Sequence, residues 1–161
     1  MEYYGYKDID LIPELLDWKK LNGDSFSVEE WGDAHLTPEL IIGFSHIYFP
    51  KFAKFENGVF FANSIPNLKK QRESGEWKNL DTIELQYLFN HQHVLDYFVG
   101  MMGESYDKIS RKQLECVGKI LVDIWGMKLR SDFPDLNLHI ELQGLHSEDY
   151  LEDIVVVFWA E

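Results

Sequence analysis

Apolar and polar positions alternate along this chain with two different periods, and the change of period divides it into helices and strands. Between Thr37 and Pro50, Leu40, Ile41, Phe44, Ile47 and Tyr48 recur at helical spacing, with Pro38 at the first helical position and Pro50 enforcing the end. That broad stripe predicts a core helix. A second face of the same helix carries Glu39, Ile42, His46 and Phe49. It is expected to be covered by another layer of the fold, or else displayed as a docking ridge of aliphatic and aromatic anchors.

Start and stop signals place the other helices. Asp10, Pro13 and Glu14 open a first one, and "ELLDWKKLNG" closes it on Gly23. Ser27 and Glu30 form a capping box ahead of a short segment carrying Trp31. Asp81 and Glu84 open a long helix reaching about Val99, apolar on two sides and so expected between layers. Ser110 and Gln113 repeat the capping box before a helix to about Arg130, which Pro134 stops.

Strand patterns occupy the rest. Asn57-Gly58 between apolar runs predicts a two-residue hairpin turn, with strands near 52–56 and 59–63. "LNLHIELQ" alternates strictly, as a half-solvated strand does, whereas "DIVVVFWA" is apolar throughout and predicts a strand covered on both faces. "NSIPNLKKQRESGEWKN" has no clear period and is expected to be an exposed loop. Together these elements predict an α+β fold: a mainly antiparallel sheet, made of the hairpin at about 52–63 plus C-terminal strands, packed with four to five helices in one domain over 1–161. A chain of 161 residues is long enough to bury about 70% of its unfolded surface without staples.

Charge then narrows the function classes. The balance of 15 basic against 28 acidic residues gives a net charge of -13, which repels phosphate backbones and anionic lipid, so neither nucleic acid nor membrane is an expected partner. The same charge steers association with a basic protein. One cysteine, Cys116, excludes an internal disulfide framework. No signal peptide or membrane span is expected, and the expected location is cytoplasmic.

Candidate chemistry is sparse. On the expected helix, His91 and His93 stand about 200° apart and cannot share a metal ion. His93 and Asp96, three apart, are the best pair for general-base work in an alternative reading as a small acid-base enzyme. Cys116 lies within an apolar helix and is expected to be structural. His35 and Asp33 are expected in a capping turn, with Asp33 bonding backbone. "GESYDKIS" lacks the glycines of a nucleophile elbow, and no glycine-rich phosphate loop occurs. No metal, no cofactor and no catalytic residue are therefore assigned.

Acidic residues beside apolar anchors are what a binder of a basic protein needs. One group is Glu29, Glu30 and Asp33; the other is Glu148, Asp149, Glu152 and Asp153. Together with Glu39, Ile42, His46 and Phe49 they form the expected partner-binding set. The segments "EEWGDAHLTPELIIGFSHIYFPKF", "NGVFF" and "LEDIVVVFW", in a small acidic chain, make it similar to the bacterial immunity proteins that neutralise toxins of contact-dependent growth inhibition and related polymorphic systems. The resemblance implies a one-to-one inhibitor, often docked over the active site of a basic nuclease toxin, with a monomer favoured. It transfers no residue role. A third reading, a subunit of a larger assembly, predicts a large exposed apolar patch and self-association.

Overall fold

The computed structural model describes residues 2–101, 109–145 and 150–161, and its class is α+β as expected. A minimal hairpin, β1 (Glu2–Tyr3) and β2 (Tyr6–Lys7), leads into α1 (Asp8–Leu11) and α2 (Leu15–Asn22). One helix was expected over α1 and α2. Pro13 divides them: the residue before a proline is pushed out of the helical region, and Ile12 has φ -129° and ψ 78°. Gly23, at φ 101°, ends α2.

The capping box at Ser27 and Glu30 starts α3 (Val28–His35), and Thr37 caps α4 (Pro38–Tyr48) with Pro38 at its first turn. The hairpin follows as β3 (Phe52–Phe55) and β4 (Gly58–Phe61), paired so that Phe55 faces Gly58. Its turn is therefore Glu56-Asn57, one residue earlier than expected, with Glu56 at φ 51°. Gly58 is needed in the strand because a Cβ there would lie 2.8 Å from the Gln86 side chain.

The expected loop after β4 contains α5 (Ile65–Ser74), which buries Leu68 against Phe60 and Leu85. Ile65 and Leu68, three apart, supply its short apolar face, and Gly75 in the left-handed conformation ends it. Arg72 secures this corner, donating to the Trp77 carbonyl at 2.9 Å and to the Glu56 carboxylate at 3.1 Å.

The expected long helix is half as long. α6 (Thr82–Asn90) stops where the chain turns extended into β5 (Gln92–His93), and a 3-10 helix continues over Val94–Met101. α7 (Arg111–Asp132) starts on its capping box at Ser110, and β6 (Leu138–Gln143) and β7 (Val155–Ala160) close the fold. β7 lies between β5 and β6, antiparallel to both, which explains its apolar run: Val156, Val157, Phe158 and Ala160 are all buried.

Hairpin and C-terminal strands do not form one sheet. Two buried amides of α6 join them instead. Gln86 Oε1 accepts from Val59 N at 2.9 Å and Ala160 N at 3.0 Å, and its Nε2 donates to the Ala160 carbonyl at 3.0 Å. One turn later, Asn90 Nδ2 donates to the carbonyls of Val59 (2.7 Å) and Phe158 (3.1 Å). Edge groups of β4 and β7 that would otherwise be orphaned are satisfied by side chains. The main core gathers Trp125, Leu121, Leu114 and Leu129 of α7 against Val156, Phe158 and Ala160 of β7.

Candidate functional site

Helix α4 is the least expected part of the surface. Its start is well specified: the Thr37 hydroxyl accepts from Leu40 N at 3.3 Å, and Pro38 presets the first turn. Its fixed end is the C-terminal one, where Ile47 and Tyr48 pack on the main core and Trp125 Nε1 donates to the Ile47 carbonyl at 2.9 Å. No residue of α4 is buried. The stripe expected to be core is largely displayed: Leu40, Ile41 and Phe44 are exposed, Ile41 by 56%. The second face is uncovered too, with Ile42 64% and Phe49 62% exposed, so the described residues do not supply the expected covering layer. With Leu36 just ahead, the helix forms a ridge of large apolar side chains. Contiguous apolar exposure of this kind marks an interaction surface more often than a bare monomer surface.

Glu39 stands in the first turn of the ridge, and Glu29 shares a cavity wall with Tyr48 at its other end. α3 reaches α4 through Leu36 and Thr37 alone. Glu30 is the reciprocal partner of the capping box, its carboxylate accepting from Ser27 N at 2.8 Å. Glu29 and Glu39 occupy equivalent places in the first turns of α3 and α4. Each carboxyl is held below its usual range by its own backbone N–H, then by the cap hydroxyl of Ser27 or Thr37. Asp33 is exposed on α3, which runs through His35, so its expected place in a capping turn is corrected. His35 instead caps its own helix, Nδ1 lying 2.7 Å from the Trp31 carbonyl with its ring stacked on Trp31. Of the second acidic group, Glu152 and Asp153 are exposed on a 3-10 turn (Leu151–Asp153) before β7, a different element from α3. Glu148 and Asp149 lie outside the described residues.

Two cavities open near α4. One, of about 700 Å³, is walled by Val28, Trp31, Tyr48, Phe98, Val117 and Ile120, with Asp8 and Glu29 as the charged groups among the described residues. Cys116 also faces it; burial pushes that thiol up from its usual range, which fits a structural role. The other, of about 590 Å³, brings together His46 and Phe49 with Lys51 and His91. Comparison with family models, curated proteins and solved structures gave no match.

The histidines sit differently from expectation. Because α6 ends at Asn90, His91 and His93 are on extended backbone and their rings meet edge to face at 5.4 Å, not on opposite sides of a helix. Each Nδ1 faces a carbonyl, Tyr87 for His91 at 3.1 Å and Glu152 for His93 at 2.6 Å. His93 and Asp96 do not share a helical face; the Asp96 carboxylate takes the Gln92 amide at 3.5 Å. Among the described residues no group of three or more His, Cys, Asp or Glu side chains is placed to hold a metal ion, and no helix is long and apolar enough to cross a membrane. Sequence reasoning missed Lys51 as a partner of His46 and His91, because the turn after α6 that brings His91 round is a tertiary feature.

Proposed function

We propose that this chain is an immunity-type inhibitor that binds a basic bacterial toxin domain, of the nuclease kind that its resemblance implies, and acts by occluding it. The observation that carries the reading is the exposed apolar ridge of α4, with Glu39 in its first turn and Glu29 beside its last residue, Tyr48. Apolar anchors supply the lasting contact, and a net charge of -13 supplies steering toward a basic surface. The apolar cavity beside Tyr48, with Glu29 in its wall, offers a recess for a partner side chain next to a basic residue.

Self-association through the same ridge is the second reading, and the exposed apolar area favours it equally. Charge separates the two. A symmetric dimer through α4 brings together two chains that each carry a net charge of -13, which disfavours it at low salt.

The test is co-expression with the product of the adjacent gene, followed by light scattering on the purified species. The expected result is a one-to-one complex in which the partner's toxicity is suppressed, with both lost in Ile42→Asp. A protein that dimerises alone and takes no such partner would replace the inhibitor reading with self-assembly. Undiminished binding by Ile42→Asp and Ile41→Asp would remove α4 from the interface.

A further inference from the structure

We infer that the cavity between the end of α4 and the start of α5 is a binding site for a small organic anion with an aromatic body. This ligand class is opposite in charge to the basic protein proposed for the ridge, and the inference does not rest on that proposal.

Two cavities of one acidic molecule differ in the charge of their walls. The chain has 28 acidic residues, and the charged wall of the larger cavity is made by two of them, Asp8 and Glu29. Among the described residues none lines the smaller cavity of about 590 Å³, whose basic side chains are Lys51, His46 and His91. The Asp96 carboxylate meets this wall at Gln92, whose Nε2 lies 3.5 Å from it. Lys51 has no ion-pair partner among the described residues. The Lys51 ammonium, sharing a cavity wall with two imidazoles and with no carboxylate of the described residues, is a local positive charge within an overall negative field.

The rest of the wall says what kind of anion fits. Phe49, Phe61, Phe89 and Tyr97 supply aromatic surface, and Asn63 and Gln92 supply amides that orient a polar head. The volume is in the range that takes a whole small ligand, larger than a bare inorganic ion needs. The frame is fixed before binding: the Lys51 carbonyl accepts from Ala62 N at 2.8 Å, extending the β3–β4 pairing, and the Phe61 carbonyl accepts from Ser64 N at 3.0 Å. His91 Nδ1 faces the Tyr87 carbonyl at 3.1 Å and donates there, so Nε2 is the atom left for a ligand oxygen once it carries a proton.

The test uses the whole chain and three probes, 1-naphthoate, the uncharged 1-naphthamide and inorganic phosphate, titrated while backbone amide resonances are followed by NMR. Naphthoate is expected to shift resonances of 45–51, 61–64 and 89–92, and to bind at least about tenfold more tightly than naphthamide or phosphate. Lys51→Met, which keeps the stem and removes the charge, is expected to weaken naphthoate by about tenfold, and Lys51→Glu by more, while Lys78→Glu leaves it unchanged. Equal binding of naphthamide would reduce the site to an apolar hollow and overturn the inference. So would tighter binding of phosphate, an unaltered affinity in both Lys51 variants, or no shift in these segments with any probe.

Discussion

Helices α4 and α7 show how weakly hydrophobic content determines burial. α4 is the more apolar of the two, with large side chains on nearly every face, yet it buries no residue. α7 carries a polar outer face and buries Leu114, Cys116, Leu121, Trp125 and Leu129. Contact with the sheet makes the difference. Gly118 and Gly126 let α7 close on β6, since a Cβ at Gly118 would stand 2.5 Å from a Leu142 methyl and one at Gly126 would stand 3.3 Å from Ile140. α4 meets the core through Ile47 and Tyr48 and is tied by the Trp125 indole to its last turn. An apolar side chain is buried only where another surface is available to cover it, and the α7–sheet interface leaves none for most of α4.

The largest test of that contrast is Trp125→Ala. It removes a fully buried ring packed on Phe52, Phe61 and Phe158 and the indole donor to Ile47. A loss of about 3–5 kcal/mol is expected in urea denaturation. Hydrogen exchange should accelerate more in α4 than in the first turns of α7. Equal acceleration in both helices would mean that α4 is held by something other than this anchor.

Titration offers a smaller test. Burial, then the Asp96 charge, pushes the Tyr97 phenol from its ordinary 10 up to about 12. A raised folded-state value means that the folded protein keeps a proton the unfolded chain gives up. The stability it contributes is complete below pH 10 and is lost as pH rises towards 12. The urea midpoint is expected to fall across that window, and Tyr97→Phe should shallow the fall. The Tyr6 phenol is raised to about 12 as well, chiefly by its hydrogen bond to Glu115, so part of the slope remains in that variant. A slope unchanged by Tyr97→Phe would exclude Tyr97 as a source.

The smallest expected effect sharpens the comparison most. Ile41→Ser and Ile42→Ser lie on a displayed face and should change folding stability by no more than about 0.5 kcal/mol. Leu121→Ala in α7, a smaller chemical change in a fully buried place, is expected to cost about 2–5 kcal/mol. A large loss in either isoleucine variant would show that the ridge is covered in solution.

Much of the local structure was legible because its signals are local. Three capping boxes, at Ser27, Asp81 and Ser110, start helices where they occur, and Pro38 does the same for α4. The unbroken apolar run of β7 marks a strand covered on both faces, and the alternation of β6 marks one with an outer side. Helix ends were harder. Nothing near Asn90 stops α6; the chain leaves the helix there to form β5, a pairing about 60 residues distant in sequence.

The candidate sites divide in the same way. By itself the sequence determined the class of fold, the caps, the acidic balance, and which faces of α4 are apolar, because propensity, periodicity and charge act over a few residues. Only the tertiary structure decided which of those faces is covered. It also decided that His91 turns to join His46 and Lys51, and that Gln86 and Asn90 bridge two strands. Each of these depends on what a distant segment places opposite a side chain, and the spacing of residues along one segment carries no record of that.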